Sequence, residues 1–281
     1  MSRRKKVDTR EVGLEIGLLI GKHFFHTEHL HYGYWTSDLD IDLLNLPRAQ
    51  EQYCDFLISH IPDGAKTVLD VGCGAGRLAW KLINLGYAVD CVSPSPVLTE
   101  HTRSLLGDRS HIFECRFEDL QTERRYDVVL FSESFQYISV DRALQTSLGL
   151  LNDGGHLLIC DFFKTDAEGV SLVGGGHRLA SFYERVSGYG LEPIRDIDIT
   201  EETAPTIDVA NDMLTRVGLP IWNLAIRSLS DRYRLLSKFL QWKYRERIQK
   251  ISRKYLSGRR DAENFAKFKS YRLLLYRKVG V

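Results

Sequence analysis

The residues with the clearest chemical potential stand together in one run, Val68-Leu69-Asp70-Val71-Gly72-Cys73-Gly74-Ala75-Gly76. A short apolar stretch reads as a buried strand, a glycine-rich turn follows, and helical spacing begins after it. With no Cβ atoms in the way, such a turn lets a ligand approach the main chain closely. In an open parallel sheet, ligands bind just beyond the carboxyl ends of the strands, near the point where strand order reverses. A dinucleotide turn would need glycine at position 77. Arg77 stands there, and the third glycine comes one residue early. The spacing therefore argues against a dinucleotide.

The elements that must hold this turn are legible around it. Residues 11–30 have helical spacing, with Val12, Ile16, Leu19 and Ile20 predicted on one apolar face, and 45–61 read as a second helix. Strands are then predicted at 66–72, 87–93, 111–117, 126–132 and 156–163, with helices at 76–85 and 96–106. Gly154-Gly155 punctuate before the fifth strand. Strands separated by helices imply crossover units and a parallel sheet covered on both faces. A helix after residue 176 leads to a strand at 191–200. Residues 203–268 are helical in composition, and 270–278 form a last strand. The predicted units are an N-terminal helical cap or lid (1–64), a Rossmann-like core (65–202), a basic helical insertion on the substrate side (203–268) and a final core strand (269–281).

Composition narrows the class. Hydrophobic residues at 43% and charged residues at 27% suit a folded globular chain, not a disordered one. No apolar run reaches the ~18 residues of a membrane-spanning helix, and the basic start, Met1 to Lys6, is not followed by a secretory cleavage site. The five cysteines, Cys54, Cys73, Cys91, Cys115 and Cys160, include no CxxC pair. They read as reduced, buried thiols of a cytoplasmic protein, which also disfavours zinc. His23, His26, His29 and His31 have metal-like spacing, but no cysteine is near them in the chain and the run overlaps a helix and its exit, so no metal is expected. Charge is balanced overall, 38 basic against 37 acidic residues, yet residues 227–281 hold 17 Lys and Arg against 4 Asp and Glu. That end is either a solvated helical face or an anion-facing one.

The DVGCGAG turn after a VLD strand resembles motif I of the class I S-adenosylmethionine-dependent methyltransferases. YDVVLFSESFQYI (126–138), Glu118-Asp119 after the third strand and Gly154-Gly155 before the fifth resemble further motifs of that family, in order. LHYGYW (30–35), SES (132–134), DIT (198–200) and TAPT (203–206) resemble the subgroup containing tocopherol, sarcosine and geranyl diphosphate methyltransferases and the cyclopropane-lipid synthases. The resemblance covers roughly 30–200 and 270–281. It implies an α/β, Rossmann-like seven-stranded sheet, mostly parallel with an antiparallel last strand. The implied cofactor is S-adenosyl-L-methionine, and the implied reaction is in-line methyl transfer to a small or amphiphilic metabolite.

The resemblance also implies site roles. Asp70, Gly72, Cys73 and Gly74 would receive the methionine portion of the cofactor. Ser93 and Pro94 would meet the ribose, although the family usually has Asp or Glu where Ser93 stands. Glu118 or Asp119 would accept the adenine amino hydrogens, with Phe117 stacked on the ring; Asp119 also reads as a helix cap. Phe131 and Ser132 would line the path to the sulfonium. Tyr32, Tyr34 and Trp35 would lie over the cofactor as a lid, or else be core aromatics of a cap. Gln136 and Tyr137 replace the Glu-His of cyclopropane synthases, which disfavours ring formation. Candidates for a general base are Glu133, His156 and His177; His177, after three glycines, also reads as a helix-start or surface residue. The expected partner is a small or amphiphilic, anionic-compatible substrate. A membrane or polyanion contact through the basic insertion is a further expectation, and no stable nucleic-acid complex is expected. The competing functions are nucleic-acid methylation and cofactor or partner binding without turnover.

Overall fold

A computed structural model describes residues 9–233, 242–246 and 260–279. The basic run Met1–Lys6 and much of the predicted insertion, 234–241 and 247–259, lie outside the described residues.

The sheet has seven strands: β1 (Thr67–Val71), β2 (Ala88–Val92), β3 (Ile112–Phe113), β4 (Tyr126–Ser132), β5 (Leu151–Lys164), β6 (Leu191–Asp198) and β7 (Lys269–Lys278). Their order across the sheet is β3-β2-β1-β4-β5-β7-β6. Strands β1 to β5 pair in parallel, and β7 runs antiparallel between β5 and β6. This is the expected Rossmann-like arrangement with an antiparallel last strand. Strand order reverses between β1 and β4, so the crevice for a ligand opens above their carboxyl ends.

Alternation along each strand builds a core on both faces. On one face Val68, Leu130 and Leu158 pack with α2 (Leu46–Ile58), α3 (Arg77–Asn84), Ile207 of α8 (Pro205–Met213) and Phe265 of α10 (Ala262–Phe268). On the other, Leu69, Val129 and Leu157 pack with α5 (Val140–Leu150) and α6 (Leu179–Val186). The remaining helices are α1 (Thr9–Ile20), α4 (Pro96–Leu106), α7 (Thr200–Thr203) and α9 (Leu219–Arg232). None of the helices is long and apolar enough to cross a membrane, among the described residues.

Three local expectations change. The helix predicted over 11–30 ends at Ile20, passes through a π turn at Gly21–Phe25 and stops at His26, whose φ of 56° is left-handed. A Cβ on Gly21 would lie 2.7 Å from the Thr27 carbonyl oxygen, so glycine is needed where the chain doubles back. The third strand is two residues long. Phe117–Asp119 instead form a 3-10 turn that faces the ligand crevice. The fifth strand begins at Leu151, and Gly154-Gly155 sit in a register shift within it.

The apolar face of α1 is also reversed. Val12, Ile16 and Leu19 are exposed, whereas Leu14 and Leu18 pack against Leu30, Ala75 and Leu98. This helix is apolar on more than one side. Its periodicity defines a helix without deciding which side docks.

Candidate active site

The glycine turn caps β1. Gly72 (φ 77°), Gly74 (φ 56°) and Gly76 (φ 82°) all occupy the left-handed region that a side chain disfavours. Gly72 N–H donates to the Val92 carbonyl at 2.8 Å, tying the turn to β2. Ser134 donates to the Val71 carbonyl, and a Cβ on Gly72 would meet the Ser134 Cβ at 2.5 Å, so the loop after β4 closes directly on the turn. At Gly74, by contrast, an added Cβ would meet only Leu30 Cδ1, at 3.7 Å. The main chain is open to a ligand there.

A cavity of about 600 Å³ lies above these strand ends. Its floor is Asp70 with Gly72, Cys73 and Gly74; one wall is Ser93, Pro94 and Ser95 after β2, and another is Phe117 with Glu118. Ser132, Glu133 and Ser134 close the side after β4. The roof is the N-terminal segment, through Glu11, Leu14, His29, Leu30 and His31. Buried Gln50 of α2 holds that roof: its Nε2 donates to the carbonyls of His31 (2.7 Å) and His29 (3.3 Å), and its Oε1 accepts from Thr27.

Asp70 is the most exacting group in the cavity. It is 1% exposed, and its Oδ2 has no hydrogen-bond partner among the described residues. Burial alone pushes its carboxyl up to about 7. A buried carboxylate in this state is poised for a cationic or hydrogen-bond-donating ligand.

Glu133 lines the cavity between Ser132 and Ser134. Its φ of 54° is left-handed in a non-glycine residue, a conformation costing about 1–3 kcal/mol that must be held by its surroundings. The hold is visible. Glu133 N–H donates to the Cys160 carbonyl (2.9 Å), and Glu133 Oε1 accepts from Tyr32 N–H (2.6 Å) and Tyr271 Oη (2.7 Å). Among the described residues Oε2 takes no hydrogen bond. Desolvation raises this carboxyl to about 8, against the opposing pull of those two donors. Behind it, Tyr271 Oη also reaches Tyr53 Oη (3.0 Å), which lies 3.3 Å from Ser132 Oγ. Tyr53 and Tyr271 were not singled out from sequence. Nothing local marks them, because the network joins α2, β4 and β7.

The end of β2 carries a second group that sequence reasoning missed. Ser93 lines the cavity without a carboxylate of its own, and Asp90 faces away, bonded to His111 N–H, Arg124 and Tyr126. A carboxylate arrives instead from α1: Glu11 accepts from Ser95 Oγ at 3.1 Å and lines the cavity beside Ser93.

Several expected residues are placed elsewhere. Trp35 is buried with Leu39, Ala49 and Val209 and donates from Nε1 to Thr206 Oγ1 at 2.9 Å, a core role that keeps it out of the cavity. Tyr34 stacks on Phe56. The Tyr32 ring packs on Phe162, Phe265 and Tyr271, so only its main chain reaches the site, through Glu133. Phe131 lies beneath Phe117 and Phe135 with its ring in edge contact with both, and Asp119 is exposed beyond the wall. His177 does not line the cavity. Its Nε2 donates to the carbonyls of Ile138 (2.8 Å) and Phe135 (3.3 Å), which makes it a brace of the loop after β4. His156 sits at the opposite end of the sheet, paired with Val128 and Arg277. Gln136 is bonded to buried Asp161. In the insertion Trp222, Tyr233, Trp242 and Tyr244 are exposed, and none lines the cavity.

A family model described as a methyltransferase domain matches residues 47–266. The chain belongs to that family. By that membership its cofactor is S-adenosylmethionine, and the open main chain at Gly74 with the unpartnered Asp70 fits such a group. A ubiquinone biosynthesis O-methyltransferase of Rickettsia felis is 25% identical over 145 residues, covering 49% of this chain and 59% of that one. The chain spans 40–59% of the length of several curated relatives it matches. Among solved structures, the [4+2]-cyclase SpnF superposes with a TM-score of 0.67 at 19% identity, covering 98% of both chains. A geranyl diphosphate C-methyltransferase from Streptomyces coelicolor superposes with a TM-score of 0.64 at 16% identity, covering 89% of this chain and 91% of that one. These two likenesses concern the fold.

Proposed function

We propose that this methyltransferase transfers the methyl group of S-adenosylmethionine to a protonated heteroatom or an acidic carbon of a small, partly apolar metabolite. The observation that carries the reading is Glu133, a raised carboxyl held by Tyr32 and Tyr271 at the rim of the cofactor cavity. When bound, the cofactor supplies an electrophilic methyl group on a sulfonium. Gly72 and Gly74 would receive its amino-acid portion along the open main chain, and Asp70 would face its positive charge. Ser93, Glu11 and Glu118 would meet the ribose and adenine. The roof from His29 to His31 excludes water, which strengthens the pull of each fixed charge. Orientation alone, by bringing nucleophile and methyl carbon into line, lowers the barrier by several kcal/mol.

Glu133 takes the acceptor's proton at Oε2. A carboxyl with a pKa near the working pH suits that role, because it is partly ionised and still basic enough to accept. The names of two similar proteins, a ubiquinone O-methyltransferase and a geranyl diphosphate C-methyltransferase, support an apolar small molecule as acceptor. Five free thiols, four of them buried, support a reducing compartment such as the cytoplasm.

The test is transfer of label from methyl-labelled cofactor to a metabolite extract. Transfer should rise with pH through about 8, as Glu133 ionises. Glu133→Gln should lower it by about 10²–10⁴-fold with cofactor affinity little changed. An unaffected Glu133→Gln variant refutes the base. Since one protein of this fold is a cyclase, conversion of a metabolite without gain of label would refute methyl transfer itself.

A further inference from the structure

His29 and His31 lie side by side in the roof of the cavity, and Cys54 meets them from α2. His31 Nε2 is 3.0 Å from His29 Nδ1 and 3.3 Å from Cys54 Sγ, and Cys54 Sγ is 3.8 Å from His29 Nδ1. All three donor atoms fall within 4.8 Å of one another. Cys54 is fully buried and His29 is 9% exposed.

The outer nitrogen of each ring decides the state of the inner one. His29 Nε2 donates to Glu51 Oε1 at 2.8 Å, and His31 Nδ1 donates to the Tyr32 carbonyl at 2.7 Å. A carboxylate and a carbonyl only accept, so both outer nitrogens carry hydrogen. In neutral rings His29 Nδ1 and His31 Nε2 are then bare lone pairs. They face one another at 3.0 Å with a single thiol proton available between them. One acceptor is left without a protein donor.

We propose that His29, His31 and Cys54 bind one zinc-class divalent transition-metal ion. A tetrahedral zinc centre sets its nitrogens about 3.4 Å apart and nitrogen to sulfur about 3.6 Å apart, from its usual bond lengths. The two observed nitrogen-to-sulfur separations, 3.3 and 3.8 Å, bracket the second value, and the nitrogens, at 3.0 Å, stand slightly closer than the first. Imidazole with thiolate selects this class of metal over magnesium or calcium, which take oxygen ligands. The supporting shell is already in place. A metal-bound histidine usually donates its other N–H to a carboxylate or carbonyl, and both cases occur here. Glu51 is itself anchored by Lys81 Nζ at 2.8 Å, and the His31 ring is stacked on Tyr53 at 4.4 Å between centroids.

On binding, the Cys54 S–H bond breaks, its proton leaves to solvent and the sulfur lone pair forms the bond to the metal. Three protein ligands leave a fourth position. Both imidazoles line the cofactor cavity, so water or an acceptor heteroatom reaches that position from the cavity side. The metal ties the roof segment to α2 across the mouth of the site.

The experiment uses the untagged full chain, stripped with a chelator and titrated with cobalt(II). One equivalent should give the absorption of a tetrahedral cobalt site with a thiolate-to-metal charge-transfer band, and zinc should displace it. Cys54→Ser should abolish the charge-transfer band. Glu51→Gln, which keeps all three ligands and changes a half-buried side chain, should keep the band and weaken cobalt binding about 10- to 100-fold. A wild-type chain that shows no thiolate band in excess cobalt overturns the proposal. So does a band that survives in Cys54→Ser. These readouts involve no methyl transfer, so they stand apart from the role of Glu133.

Discussion

Replacing Asp70 by Asn should make the cofactor-free protein more stable at pH 8 and the cofactor weaker to bind, with a pH signature that isolates this one group. Asp70 is fully buried, lacks a partner on Oδ2 and has its carboxyl raised from 3.8 to about 7 by desolvation. A raised acid binds its proton more tightly folded than unfolded. Its contribution is therefore neutral below the unfolded value and becomes a loss as pH rises from about 4 to 7, constant above that. With those two values the loss is about 1.7 kcal/mol at pH 5 and about 4 kcal/mol at pH 8. Asn keeps the shape and never ionises, so the variant escapes this slope. Its unpaired amide costs about 1–3 kcal/mol at every pH. The stability difference, variant minus wild type, should grow by about 2.5 kcal/mol between pH 5 and pH 8. Urea unfolding of both cofactor-free proteins at several pH values measures it, and the other buried acids, Glu133 and Asp161, cancel in the difference. Titration calorimetry should show weaker cofactor binding by the variant, since the cofactor is cationic and prefers the ionised Asp70. Parallel stability curves for the two proteins would refute the reading of Asp70 as a frustrated charge kept for its ligand.

Three further outcomes follow from the same geometry. Gly74→Val should abolish cofactor binding by calorimetry, because Gly74 has φ 56° and a branched side chain there would project from the cavity floor toward Leu30 in the roof; affinity equal to wild type would refute the turn as the cofactor site. Hydrogen exchange should slow across residues 20–36 when cofactor and substrate bind, since His29, Leu30 and His31 roof the cavity. Slowing confined to 68–78 would make that segment a passive cap. Glu11→Gln should weaken cofactor binding roughly tenfold, the scale of one charge-assisted hydrogen bond, because Glu11 supplies the carboxylate missing after β2; unchanged affinity would leave ribose recognition to the main chain around Ser93.

What the sequence determined by itself was the part encoded in neighbouring residues. A strand that ends in spaced glycines declares its turn, because glycine adopts the left-handed backbone at 72, 74 and 76 without the strain a side chain brings. Buried parallel strands are continuous apolar runs bounded by helices, so the alternation of β1 to β5 and the crevice above it were legible. Glu133 was legible too, since it directly follows β4. Only the tertiary structure decided which distant groups meet there. Tyr271 reaches Glu133 across 138 residues, and Cys54 reaches His31 across 23. The same holds for α1, whose apolar residues lie on more than one side. Docking through Leu14 and Leu18 brought Glu11 to Ser95 and left Val12, Ile16 and Leu19 exposed. His177 had the right chemistry and the wrong address, held by two carbonyls behind the loop. Local backbone preferences are written in spacing, whereas the choice of docking face depends on every surface offered at once, and that is settled only when the chain packs.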